Sequence, residues 1–234
     1  MPRIPLVEEL TTGSIQPGSN ILVEFDPSSQ WYNASITIAA GWIKTGGKVS
    51  YLADSHSPDD VRERLRTLGL NPVELEETNR LWITDFYTAG VVGQKSKEKF
   101  SVESLKVADL SIWVAKEVLH EEPDPDFLII DDNTSNLDRF NEEEHWIELL
   151  LSRILPMAKM RQITQFTSIM AGVHSEWAYK HLEAAADGVL DFKIDEQAGE
   201  TRDLMRIRSM WNLGFDRRWH ALNTLKNFEV TLEK

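Results

Sequence analysis

Short apolar runs alternate with helix-length amphipathic segments along most of the 234 residues, and this alternation restricts the fold more than any other feature. Asn20 to Glu24, Lys48 to Ala53, Leu81 to Asp85, Phe127 to Asp131 and Gln162 to Thr167 are predicted strands. Between them, helices are predicted over Ala34 to Ile43, from Ser57-Pro58-Asp59-Asp60 to Leu68-Gly69, over Ser101 to His120 and over Glu142 to Met157. Serine before proline, with acids in the first turn, suits the free N–H groups and positive end of a helix, and Gly69 suits the left-handed residue after one. Strands separated by helices imply an α/β fold, a mostly parallel central sheet flanked by helices. The run Phe127-Leu128-Ile129-Ile130 is apolar throughout and then meets Asp131, as expected of a central strand whose carboxyl tip lies at a site.

The remaining segments complete the plan. In the Ser101 to His120 segment, Leu105, Ile112 and Leu119 are core candidates; Trp146, Leu149, Leu150 and Ile154 are those of Glu142 to Met157; Gly90 to Lys99 reads as an exposed loop. After Asp187 the pattern changes to two β-like runs, Asp187 to Ile194 and Arg202 to Trp211, joined by turn-rich residues. They predict an antiparallel C-terminal hairpin, followed by a last strand through Phe228, Val230 and Leu232. One domain over residues 1–234 is expected, with a core from about 13 to 194 and a C-terminal β extension from about 195 to 234.

Composition removes several function classes. With no cysteine, disulfides, thiolate catalysis and cysteine-ligated zinc are excluded. No run approaches the roughly 18 apolar residues of a membrane span, and Met1-Pro2-Arg3-Ile4-Pro5 lacks the apolar stretch of a signal peptide, so a cytoplasmic protein is expected. The formal net charge of −13 disfavours a nucleic-acid coat, whose affinity comes from cations neutralising phosphates. The charge is uneven. Glu121 to His145 holds ten acids and one base, and Thr201 to Lys226 six bases and two acids; such runs are either solvated faces or surfaces that complement one another between subunits.

One motif is conspicuous by what it lacks. Between the strand at Asn20 and the helix at Ala34 lies Phe25-Asp26-Pro27-Ser28-Ser29-Gln30-Trp31-Tyr32. A phosphate-binding strand–loop–helix needs Gly-x-x-x-x-Gly-Lys-Ser/Thr there, because glycines let successive N–H groups curl around a phosphate while the lysine supplies charge. No glycine occurs from Ser19 to Ala40, and Trp31 and Tyr32 hold the Lys and Ser/Thr positions. Their large rings suit packing that plugs or covers such a pocket.

The order and spacing of these segments resemble the RecA-like ATPases, and within them the KaiC/RadA-type domains common in archaea. The likeness lies in Ile21-Leu22-Val23-Glu24, in Gly46-Gly47-Lys48-Val49-Ser50-Tyr51-Leu52 followed by Ser57-Pro58-Asp59-Asp60-Val61-Arg62, and in Arg80-Leu81-Trp82-Ile83-Thr84-Asp85-Phe86-Tyr87-Thr88. It continues through Phe127 to Asp132 and Ala186-Asp187-Gly188-Val189-Leu190, and spans about Gly13 to about Val230. The resemblance implies a RecA-like sheet and rings or filaments in which a face of one subunit packs on the nucleotide side of the next.

Against that family, three parts of the phosphoryl-transfer machinery differ. Phe25 stands for the opening glycine and Trp31-Tyr32 for the Lys-Thr pair; Ser55 and His56 stand where the family's catalytic glutamates are implied; Ser209-Met210-Trp211 replaces a Lys-x-Arg that reaches a neighbouring subunit's phosphate. Asp131 keeps the place of the family's magnesium-associated carboxylate, with Asp132 beside it. The resemblance therefore implies a pseudo-ATPase with no catalytic residue, cofactor or metal. Phe25, Ser28, Ser29, Trp31, Tyr32, Ser55, His56, Asp131 and Asp132 would line a vestigial nucleotide pocket, and Ser209, Trp211, Arg217 and Arg218 are candidates for a subunit interface. The expected partner is a second copy or a catalytic RecA-like paralogue, and the expected role an assembly or regulatory subunit. A nucleic-acid-associated accessory subunit, of recombination-mediator or tRNA-modification type, is the less favoured alternative, resting on the mixture of stacking and charge in Arg217-Arg218-Trp219-His220. A single histidine, His56, near Asp54 and Asp131 falls short of a metal site, His174, His181 and His220 have no ligand spacing, and Ser28 and Ser29 have no base partner.

Overall fold

The computed structural model describes residues 4–91, 94–104, 106, 108–110, 124–133, 143–197 and 200–233. The apolar runs form parallel strands: β1 (Asn20–Phe25), β2 (Val49–Ala53), β3 (Leu81–Asp85), β5 (Phe127–Ile130) and β6 (Thr164–Met170), with a two-residue β4 (Phe100–Ser101) between β3 and β5 in sequence. The helices are α1 (Trp31–Lys44), α2 (Pro58–Thr67), α3 (Pro72–Glu77), α4 (Glu143–Leu149), α5 (Leu155–Met160) and α6 (Glu176–Ala185). The chain closes with β7 (Gly188–Gln197), β8 (Glu200–Met210), β9 (His220–Thr224) and β10 (Val230–Leu232). All ten strands join one sheet, in the order β10-β9-β8-β7-β1-β6-β5-β2-β3-β4. Pairing is parallel from β7 to β4 and antiparallel from β7 to β10. This is the α/β plan with an antiparallel C-terminal extension that the sequence predicts.

The alternation of side chains along each strand feeds two cores. Ile21, Val23 and Phe25 point with Leu190, Phe192, Met205 and Ile207 towards α1, whereas Leu22 and Val189 point with Ile130 and Ile169 towards α4 and α6. Ile4, Leu6 and Val7 are buried in the α1-side core, and β7 runs three residues past Ile194. On that side Trp42 stacks on Phe127 at 4.8 Å, and its indole donates to the Asp126 carboxylate. Gly47 makes this possible, since a Cβ there would lie 2.1 Å from the Trp42 ring. The start of α2 forms the reciprocal cap its sequence suggests: Ser57 Oγ accepts from the Asp60 amide and the Asp60 carboxylate from the Ser57 amide. Gly69 takes a φ of +80° just beyond the helix.

Three segments differ from expectation. Ser101 belongs to β4 and not to the start of a Ser101–His120 helix, because the outer edge of β3 offers backbone partners to Phe100 and Ser101. Residues 108–110 are helical; Leu105, Ile112 and Leu119 lie outside the described residues. The predicted Glu142–Met157 helix is interrupted by a π-turn at Leu150–Ile154 before α5. Pro156 explains it: lacking an N–H and clashing with the preceding turn, it is accommodated by a locally wider turn. Finally, the sequence predicts no strand between the hairpin and Phe228, yet His220–Thr224 forms β9, paired with Leu204 and Met205 of β8.

Candidate functional site

Parallel strands bring the loops after β1, β2 and β5 to one end of the sheet, and the sequence-predicted pocket residues gather there. The loop after β1 is a tight turn. Ser29 N–H donates to Asp26 O at 2.9 Å, Asp26 N–H to Phe192 O at 2.9 Å, and the Asp26 carboxylate accepts from Ile194 N at 3.2 Å. Helix α1 then starts at Trp31, whose side chain is 2% exposed. Its ring lies 5.2 Å from Phe192 and 6.5 Å from Phe25, and its Nε1–H donates to the Asp131 backbone carbonyl at 2.9 Å. A flat apolar ring with one donor fits a space lined by two phenyl rings and one strand-end carbonyl. Ser28 is exposed; Ser29 Oγ, Tyr32 Oη and Asn33 Oδ1 are buried without hydrogen-bond partners among the described residues.

The next residue of α1 covers the loop after β2. Tyr32 stacks on His56 with ring centroids 3.4 Å apart and planes 10° from parallel. Ser55 Oγ lies 2.8 Å from His56 Nδ1 and donates to Asp131 Oδ2 at 3.0 Å, while Asp131 Oδ1 accepts from Asp54 N at 2.9 Å and Ser55 N at 3.4 Å. Both Asp131 oxygens are thus turned to protein donors. Burial raises the Asp131 pKa to about 7, partly opposed by the hydrogen bonds from Asp54 and Ser55, with Asp132 adding repulsion. Burial also lowers the His56 pKa and raises that of Tyr32. Tyr51, fully buried and within 2.8 Å of Ser35 Oγ, is held in its neutral form for the same reason. Asp132 is buried too, at 3% exposure. No cluster of three or more metal-ligating side chains occurs among the described residues.

Sequence reasoning missed a second polar centre on the opposite face of the sheet. Arg208 of β8 reaches Glu24 at 2.5 Å, Glu183 at 2.7 Å and Asp191 at 3.0 Å, and Arg206 reaches Asp191 at 2.6 Å. A register shift opposite Val189/Leu190 pairs Val189 with Ser209 and Leu190 with Ile207, leaving Arg208 as the extra residue. Arg208 and Ser209 thereby line one groove of about 530 Å³ with Val189 and with Lys180, Glu183 and Ala184 of α6. The signal for this centre was present in Glu24 and Asp191, carboxylates flanked by Val23 and Phe25 and by Leu190 and Phe192 inside strands, where a buried charge requires a cation.

Of the interface candidates, Ser209 and Trp211 lie towards the other end of the strands. Trp211 follows Met210, which pairs with Gly188 at the start of β7, and its N–H donates to Asp187 O at 2.6 Å. Its side chain is 71% exposed. Met160 at the end of α5 is 79% exposed, and its neighbour Lys159 pairs with Asp187 at 3.4 Å. Arg217 lies over the Phe215 ring at 5.2 Å, and Arg218 is paired with Asp216. With Arg202, Arg206 and Arg208 also paired inside the chain, the basic stretch presents little uncommitted charge. Of the acidic stretch, residues 124–133 and 143–145 are described; there Asp124 pairs with Arg161, the Asp126 carboxylate accepts from Trp42 and the Lys48 amide, and Glu143 accepts from Ser175.

Over its whole length the chain superposes on the crystal structure of KaiC-like protein PH0186 from Pyrococcus horikoshii, with a TM-score of 0.74 and 18% identity, covering 97% of that chain. The fold is KaiC-like. A further similarity, 23% identity over 220 residues, is to UPF0273 protein PH0284 of the same organism, spanning 94% of this chain and 88% of the relative. No family model matches the chain. No helix among the described residues is long and apolar enough to cross a membrane.

Proposed function

We propose that this chain is a non-catalytic member of the KaiC/RadA-like group of RecA-fold proteins, acting as an assembly or regulatory subunit. The observation that carries the proposal is Trp31. Its indole fills the volume under the first turn of α1 and is bonded to the Asp131 carbonyl at 2.9 Å, so the helix start is packed against the strand tips and not held open around a ligand. The loop residues that could turn N–H groups outward are tied to β7 through Asp26. Ser55 and His56 stand where the family's glutamates are implied, and the Asp131 oxygens are taken by neighbouring donors. A transferring phosphoryl group needs cations and a positioned base, and the pocket side chains supply neither a lysine nor a free carboxylate.

The retained property is packing. Trp211 and the Trp31 pocket sit at opposite ends of the strands, so a contact between them requires a second chain. Large exposed apolar side chains such as Trp211 and Met160 are what an interface buries, and Trp is a frequent anchor. A second copy or a catalytic RecA-fold paralogue in the cytoplasm is the partner this reading implies. Nucleic acid is less favoured, because the Trp219 ring has Lys193 and Arg206 at 4.5 and 4.4 Å and Arg218 is held by Asp216; the tail's charge is engaged within the chain. Sedimentation of the wild type and of Trp211→Ala tests the assembly role. Association that weakens in the variant supports it, while a monomer at every concentration, with no RecA-fold protein captured, rejects it.

A further inference from the structure

We infer that His56, Ser55 and Asp131 form a proton relay in which the protonation state of a buried carboxylate decides whether the outward nitrogen of His56 accepts or donates a hydrogen bond. The chain is continuous. His56 Nδ1 is 2.8 Å from Ser55 Oγ, which is 3.0 Å from Asp131 Oδ2. Serine has one proton and two lone pairs, so with its proton given to one of these two neighbours the chain runs in one of two directions.

With Asp131 ionised, Ser55 donates to the carboxylate and must accept from His56, which places the ring proton on Nδ1 and leaves Nε2 an acceptor. With Asp131 protonated, its O–H donates to Ser55 Oγ, Ser55 donates to Nδ1, and the ring proton is on Nε2, now a donor. One state converts to the other when a proton binds at Nε2, the Nδ1 proton passes to Ser55 and the Ser55 proton to Asp131. No bond between heavy atoms changes, and the charge neutralised is that of the carboxylate. The imidazole is neutral before and after. Nε2 makes no hydrogen bond within the described residues and is not among the buried unpartnered atoms.

The surroundings suit such a device. Tyr32 of α1 lies flat on the imidazole at 3.4 Å and fixes its plane. Asp131 faces the Asp54 and Ser55 amides from the loop after β2, Asp132 on its own strand end, and the neutral phenols of Tyr51 and Tyr32. Around His56 are Asp60 and Arg64 of α2, whose charges act in opposite senses. The buried carboxyl that titrates near neutrality, at about 7, supplies the proton-dependent end, and His56 the surface end. Nothing in this relay depends on whether ATP is hydrolysed.

The ring nitrogens of His56 report the tautomer directly in nitrogen-resolved NMR. Over about pH 5 to about pH 9, the wild type is expected to show the ring proton moving from Nδ1 to Nε2 as pH falls, before the doubly protonated ring forms, with the same midpoint as the Asp131 carboxyl carbon. In Asp131→Asn and in Ser55→Ala that exchange of tautomers should vanish, leaving only conversion to the doubly protonated ring. A wild-type His56 that keeps one tautomer until it becomes doubly protonated, or whose midpoint differs from that of Asp131, overturns the relay. The wild-type measurement decides the matter even if a variant fails to fold.

Discussion

The Trp31 indole donates to the backbone carbonyl of Asp131 at 2.9 Å, tying the first turn of α1 to the tip of β5 across a hundred residues of sequence. Two rings, Phe25 and Phe192, close the space around it. Trp31→Ala removes the ring and the donor together, and a loss of about 3–5 kcal/mol is expected for a fully buried tryptophan, read as a lower midpoint in urea with unchanged slope. A loss under about 1 kcal/mol would mean that the site collapses freely and that Trp31 is not a structural plug.

Asp131 gives stability a definite pH dependence. Its folded pKa, about 7, is above the usual value near 3.9, so between these values the folded chain binds a proton that the unfolded chain has released. This contribution favours folding at the acid end and is lost as pH rises from about 4 to about 7, at up to roughly 1.4 kcal/mol per pH unit. Asp131→Asn should remove that slope: relative to wild type, the variant gains stability towards pH 7 and above. Parallel stability curves for the two proteins across this range would contradict the assignment.

Arg208 holds Glu24 and Asp191, whose side chains are 15% and 12% exposed. Arg208→Met leaves these carboxylates crowded and without their shared cation, and a loss on the order of 2–3 kcal/mol is expected, since Arg206 still pairs with Asp191. Adding Glu24→Gln should recover part of it. Additive losses in the double variant would show that the two residues do not interact.

Gly47 illustrates a constraint with no polar chemistry. Because a Cβ would fall 2.1 Å from the Trp42 ring, Gly47→Ala should displace Trp42 from Phe127 and cost about 1–3 kcal/mol, with a change in the near-ultraviolet circular dichroism of the tryptophans. An unchanged spectrum and stability would mean that the backbone moves aside without resistance.

Much of this architecture is legible in the residues themselves. The strand at Leu81–Asp85 and the cap at Ser57 follow from apolar runs and terminal chemistry, which act locally. The strand at Phe100–Ser101 was not legible, because it exists only by virtue of the β3 edge beside it. The π-turn before Pro156 was hidden inside a regular amphipathic pattern. At the candidate site, the bulky pair Trp31-Tyr32 in a glycine-free segment after the first strand can be read from sequence, but the stacking of Tyr32 on His56 and the three-residue contact with Asp131 depend on the loops after β1, β2 and β5 meeting in space. The Arg208 centre was missed because a bulge re-aims two consecutive side chains, which strict alternation cannot anticipate.

Phosphate release from ATP with magnesium tests most directly the proposal that this KaiC-like fold works without phosphoryl transfer. Wild type and Asp131→Asn are both expected to match a protein-free control over hours. Turnover above that control in the wild type that disappears in Asp131→Asn would contradict the account, since it would show that Asp131 serves a working nucleotide site beside Trp31.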